Sequence, residues 1–310
     1  MFTDKILKIL ALFSFMHMSC VNLKNVEIYY YEILPRNLEA EKKHVFLIGL
    51  DGWGSYGFEN ENFNMPTIKE LMNNGSYTLQ ALNVMPSISL PNWSSMLMGT
   101  SPNITGYWTN KPSKAVPKFA DIHGLYPSIF TLLKEQRPQC KVAFFYEWRE
   151  NGTLCPNRVI DTKRYIKNLS KDISIVTNYI KTEKPNFCTI IIDEPDHVGH
   201  SIGHDTQAYY EELNRLDGLI AQIIQSIKDS GIWDDSIIIL SSDHGGIGKG
   251  HGGDTDLERE IPFIISGKNI KEKTKISQNV MIYDIAPTIA HIFELETPLF
   301  WEGRLINVSI

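Results

Sequence analysis

Residues 44–50 read HVFLIGL, a nearly unbroken apolar run, and the next residue is Asp51. A strand covered on both faces reads this way, because neither side of its pleat meets water. The pattern recurs at Phe187–Ile192 (FCTIII), Ser236–Leu240 (SIIIL) and Ile261–Ser266 (IPFIIS), and KVAFFY over Lys141–Tyr146 is a further strand. Helical stretches lie among them. One covers Thr67–Asn74 and closes at Gly75, and another runs over Pro127–Gln136 with proline in its first turn. A long amphipathic helix covers Asp205–Ser230, and a closing one Asp284–Leu295. Strands alternating with helices predict an α/β fold, a three-layer α/β/α sandwich around a mainly parallel sheet. No repeat, low-complexity tract or Pro/Ser-rich linker interrupts the pattern, so residues 44–310 are expected to form one domain.

The remaining sequence narrows the class of function. Thirty Lys+Arg against thirty-six Asp+Glu leave a net charge of −6, which lacks the basic footprint of a nucleic-acid-polymer binder. Residues 1–20 read as a signal peptide or lipoprotein signal. Lys5 and Lys8 precede an apolar run, Ile9–Met16, too short to span a bilayer, and Ser19-Cys20 resembles a lipoprotein processing site. The expectation is an exported protein, periplasmic or held to a membrane outside the cytoplasm through a lipidated Cys20. Residues 21–43 are then a tether or an edge element. Cys140 and Cys155 are available to pair, and Cys188 reads as a buried thiol.

In open α/β sheets ligands bind at the carboxyl ends of the strands. Chemistry-bearing residues gather at those ends in this chain. Asp51 follows the first strand, and DEPDHVGH, with Asp196 and His200 four apart, follows FCTIII. Asp243 and His244 follow SIIILSS, and His251 sits in a Gly-flanked loop just beyond. Burying that much charge without compensation is very costly, so the groups are either solvated or hold cations. Mixed Asp/His sets suit Zn²⁺, with Mn²⁺ as an alternative.

A nucleophile candidate lies in SISLPNWSSMLMG. Ser89 precedes Pro91 at the start of a helix, where backbone N–H groups favour an anion. Ser87 is the rival hydroxyl, and taken alone Ser89 reads as a helix cap and nothing more. His197 and His204 stand beside the ligands, while Asp193 and Glu194 read as supporting or solvated groups. Trp53, Trp93, Tyr107 and Trp108 are either pocket walls or core.

The ordered set LIGLDGWG, SLPN, MGTSPNITG, DEPDHVGH, SSDHGG, GHGG and DIAPTIAHIFEL with EGR resembles the alkaline phosphatase superfamily. The closest branch is that of the type I phosphodiesterases and nucleotide pyrophosphatases. The resemblance implies an alkaline phosphatase-like catalytic domain with two divalent metal ions, most readily Zn²⁺. Asp51, Asp243 and His244, with Ser89 bridging to the reaction, would hold one ion, and Asp196, His200 and His251 the other. Asn92 would donate to a phosphate oxygen. The implied activity is hydrolysis of phosphodiester or pyrophosphate bonds in a small phosphate ester through a phosphoseryl intermediate. The alternatives are a phosphomonoesterase on the same scaffold and a catalytically silent binding protein. Two departures stand out: serine replaces the threonine of many members, and Trp93 replaces a frequent histidine. Trp93 is expected to shape the pocket wall without touching a ligand.

Overall fold

A computed structural model of the chain describes residues 17–23, 26–32, 43–121 and 123–308, so most of the segment read as a signal lies outside the described residues. Cys20 falls within a first strand, β1 (His17–Leu23), which forms an antiparallel hairpin with β2 (Val26–Glu32). The main sheet is built from β3 (His44–Asp51), β4 (Gly75–Leu82), β6 (Val142–Tyr146), β7 (Thr162–Tyr165), β8 (Phe187–Pro195), β9 (Ser236–Ser242), β10 (Glu260–Gly267) and β11 (Thr274–Lys275). A short β5 (Phe119–Ala120) pairs parallel with β2 instead. The eight strands lie in the order β11-β4-β10-β9-β3-β8-β6-β7. From β9 to β7 every neighbouring pair is parallel, and β10 alone runs antiparallel to both its neighbours.

Alternation along β3 shows why the run is apolar throughout. Val45 and Leu47 join a cluster with the helices Ser89–Met98, Ile129–Gln136 and Ile285–Ile292 on one face. Phe46, Ile48 and Leu50 join the opposite cluster with Pro66–Asn73, Leu169–Glu183 and Gln207–Asp229. These are the three expected layers; the helices Pro66–Asn73, Leu169–Glu183 and Gln207–Asp229 bury an amphipathic stripe, whereas Ser89–Met98 is buried on every side. Among the described residues no helix is long and apolar enough to cross a membrane.

Three local expectations are corrected. Gly75 does not close the first of these helices; Asn74 caps it and Gly75 opens β4. Pro127 stands before the helix rather than in its first turn, because Ser128 takes the cap by accepting the Thr131 N–H. Cys140 and Cys155 are not joined to each other, and both are buried within the same apolar cluster.

Candidate metal centre

The sheet order sets β3 between β9 and β8, so their carboxyl ends deliver Asp51, Asp243 and Asp196 side by side. A register shift brings Asp196 close. Leu50 pairs with Ile192 but Asp51 pairs with Pro195, so Asp193 and Glu194 bulge out of the ladder. Gly52 then turns with φ +72°, and a side chain there would press within 2.8 Å of Asp196 Cβ. Only glycine accepts both conditions at once.

Two clusters result, Asp51–Asp243–His244 and Asp196–His200–His251. In the first, His244 Nε2 stands 3.4 Å from Asp51 Oδ1, 3.3 Å from Asp243 Oδ2 and 3.3 Å from Ser89 Oγ. Ligands held roughly 2.0–2.1 Å from a tetrahedral ion lie about 3.3–3.4 Å from one another. In the second, His200 Nε2 lies 3.1 Å from both Asp196 Oδ2 and His251 Nε2. The clusters meet where His244 and His251 stack, ring centroids 3.7 Å apart.

The unpartnered atoms decide whether the donor set fits cations. Asp51 Oδ1, Asp196 Oδ1 and Asp243 Oδ2 are buried and have no hydrogen-bond partner. Each ligand imidazole turns Nδ1 to a backbone carbonyl, His244 to Gly245 at 2.8 Å, His200 to Lys249 at 3.0 Å and His251 to Ser87 at 2.9 Å. A carbonyl only accepts, so Nδ1 carries the hydrogen and Nε2 presents a lone pair. His200 and His251 therefore face each other as two acceptors, an arrangement that a cation relieves. Burial, and then the neighbouring Asp243 and Asp196, push the Asp51 carboxyl well above its ordinary range. Burial does the same to Asp243 and drives His244 well below the usual imidazole value. The donor set fits divalent ions.

Ser89 is the first residue of its helix, yet Ile88 occupies the capping position and the serine side chain caps nothing. Its hydroxyl faces His244 instead. Ser87, the rival, donates to the Gly253 carbonyl at 2.9 Å.

The family model of type I phosphodiesterases and nucleotide pyrophosphatases matches residues 45–248. The chain belongs to that family. Rat ectonucleotide pyrophosphatase/phosphodiesterase family member 1 is 26% identical over 222 residues, covering 67% of this chain and 24% of its own length. Human bis(5'-adenosyl)-triphosphatase is 25% identical over 218 residues, 65% of this chain and 47% of its own. This chain thus spans less than half the length of either relative. Among solved structures, an inactive mouse ectonucleotide pyrophosphatase/phosphodiesterase 5 in complex with AMP superposes with TM-score 0.69 at 13% identity, covering 83% of this chain and 96% of its own. A phosphonate monoester hydrolase from Silicibacter pomeroyi gives TM-score 0.67 at 14% identity, with 85% and 76% covered. Fold and family agree with the resemblance carried by the motifs. His251 lies just beyond the segment that the phosphodiesterase family model matches, and the structure groups it with Asp196 and His200 as the motif implied.

Within this phosphodiesterase scaffold two expected roles change. Asn92 is fully buried: its Oδ1 accepts from Val84 N at 2.7 Å, and its Nδ2 lies 3.0–3.1 Å from the carbonyls of Val84, Pro86 and Ile88. Both amide hydrogens have backbone acceptors, so Asn92 pins the loop before Ser89 rather than reaching a phosphate. Asn92→Ala is expected to destabilise the fold by roughly 2–4 kcal/mol, because it strands buried backbone groups. The shift of the urea midpoint checks this, and a change confined to KM would contradict it. Trp93 does touch a ligand: its Nε1 donates to Asp51 Oδ2 at 3.1 Å.

Sequence reading missed Asn110, whose Oδ1 accepts the Leu90 N–H at 2.9 Å beside Ser89. That bond engages its oxygen and leaves its amide hydrogens as donors, and no motif or spacing in the sequence pointed to it. His204 has a buried side chain, with Nε2 3.7 Å from Asp196 Oδ1 and Nδ1 3.4 Å from the Tyr56 hydroxyl. Burial lowers its pKa to about 4. Asp193 and His197, 3.3 Å apart, line an open cleft of about 650 Å³ with Trp148, Arg149 and Tyr165. Trp53, Trp93 and Tyr107 are core, and Trp108 is half exposed.

Proposed function

We propose that this chain hydrolyses phosphodiester or pyrophosphate bonds of small phosphate esters, using two divalent ions and a phosphoseryl intermediate. The single observation that carries the reading is the position of Ser89 Oγ, 3.3 Å from His244 Nε2 where both ligand clusters converge. Asp51, Asp243 and His244 would hold one ion, and Asp196, His200 and His251 the other. Zn²⁺ is favoured by the mixed carboxylate and imidazole donors and by the tetrahedral edge lengths. When bound, such ions lower the pKa of a nearby hydroxyl and stabilise charge on attacking and leaving oxygens. Ser89 Oγ then attacks phosphorus in line, the leaving-group oxygen departs opposite, and water releases the phosphoryl group from serine. The Asn110 amide would donate to a non-bridging phosphate oxygen.

The nucleoside part of the substrate is proposed to lie in the cleft of Trp148, Arg149 and Tyr165, which adjoins the ligand-bearing helix Asp196–Ser201. Arg149 already stacks on Tyr165 at 3.9 Å, a pairing that also suits the planar base of a nucleotide. The AMP complex of the mouse relative and the bis(5'-adenosyl)-triphosphatase name of the human one support a nucleotide ester as substrate. Export through residues 1–20, with lipidation of Cys20, belongs to the same proposal, and cell fractionation with a Cys20→Ser variant tests it.

The deciding assay sets a nitrophenyl nucleoside monophosphate, a diester, against nitrophenyl phosphate, a monoester, with metal-loaded protein. Faster diester cleavage is the expected result. A reversed preference makes the chain a phosphomonoesterase, and no turnover of either by a metal-loaded chain makes it a binding protein.

A further inference from the structure

Ser89 and Trp93 are four residues apart on one helix and therefore share its sheet-facing side. The Trp93 indole is completely buried. The Cη2–Cζ3 edge of its six-membered ring abuts β3 at Gly49, where any side chain would overlap it. The Gly49 gap thus fixes the indole, and the indole fixes the direction of its single N–H. That N–H ends on Asp51 Oδ2 at 3.1 Å, and the other oxygen of the same carboxylate, Oδ1, is the buried one left bare toward His244.

Asp243 is arranged in the same way by different means. Its Oδ1 accepts the backbone N–H groups of Gly52 at 3.1 Å and His244 at 3.0 Å, which leaves Oδ2 bare. In each carboxylate one oxygen is occupied by N–H donors and the other is presented to the site. For Asp243 the backbone supplies the donors. For Asp51 the one donor to the occupied oxygen is an indole, 42 residues away in sequence.

From this juxtaposition we infer that Trp93 is a positioning residue for the metal-ligating Asp51: its indole N–H occupies Oδ2 and presents Oδ1 as a single ligand atom. The inference rests on the metal reading above and deepens it. Without the N–H, Oδ2 is left buried and unpaired, and the carboxylate is free to rotate or to bind through both oxygens. Loss of such an outer hydrogen bond typically weakens a metal site about 10–100-fold.

The test replaces Trp93 with benzothienylalanine, which keeps the shape of the indole and exchanges its N–H for sulfur, and in parallel with phenylalanine (Trp93→Phe). Zn²⁺ affinity of the whole chain is measured by competition with a chromogenic chelator, and Co²⁺ absorption spectra report the ligand geometry. The wild-type chain is expected to bind two ions per molecule. Both variants should keep one ion at wild-type affinity, bind the other about 10–100-fold more weakly, and show an altered Co²⁺ spectrum for that ion alone. Should Trp93→Phe fail to fold, the isosteric variant still decides. Trp53→Phe is the control, since Trp53 is equally buried and its indole nitrogen donates to nothing. It should leave both affinities unchanged. Two wild-type affinities in the benzothienyl variant would overturn the inference, as would equal weakening by Trp53→Phe. A wild-type chain that binds no ion removes the metal reading and this inference together.

Discussion

Ser89→Ala should abolish turnover while metal content and stability stay close to wild type. Removing a nucleophile that acts as part of a unit costs about 10⁴-fold or more in kcat. The cost to the fold should be slight. Ser89 contributes no cap, its hydroxyl contacts only the His244 imidazole, and alanine is the best residue for a helix. A structural serine would show the opposite pattern, with a lowered unfolding midpoint and retained activity. Acid quench after mixing with a phosphorus-labelled diester should trap label on the wild-type protein and none on the variant. Full activity in Ser89→Ala would remove the serine from the mechanism, and label retained by the variant would place it elsewhere.

Stripping the metal should abolish turnover and also change how stability depends on pH. In the metal-free fold burial raises the Asp51 and Asp243 carboxyls well above their unfolded value of about 3.9. The folded chain then binds more protons than the unfolded one, so the carboxylates cost stability progressively as pH rises above about 4. His244 works in the opposite sense. Its depressed value means that stability is lost as pH falls below the unfolded imidazole value of about 6.5. Above about pH 7 that imidazole is neutral in both states. The margin by which bound metal raises the melting temperature should widen with rising pH, because the ions offset the cost of the buried carboxylates. Metal addition near pH 7 should release protons, measurable by calorimetry in buffers of different ionisation enthalpy. A gap between loaded and stripped protein that narrows with rising pH would contradict the arrangement.

The sheet and its ligands were readable because both follow from one local rule. A strand buried on both faces is apolar along most of its length, so an acid or imidazole at its carboxyl end stands out, as at Asp51 and Asp243. Elements with weaker contrast escaped notice. The edge-side β4 alternates buried and part-exposed residues, and Leu169–Glu183 carries a kink at Asp172 that breaks its period. The antiparallel course of β10 depends on pairing with β4, which no local pattern encodes. Asn92 was misread for a related reason: its partners lie in a loop that folds back over it, four to eight residues earlier. Trp93 and Asn110 act across 42 and 20 residues, distances at which spacing carries no signal.

The carbonyls that aim the ligand imidazoles belong largely to other loops. The Ser87 carbonyl, two residues before the nucleophile, orients His251, and Lys249, two residues before His251, orients His200. A displacement of the turn around Lys249 thus swings His200 and also tugs on the backbone from which Ser89 hangs. The backbone of the nucleophile and the imidazoles of the second cluster thus hang on one chain of carbonyl contacts, and a change that shifts one end is felt at the other.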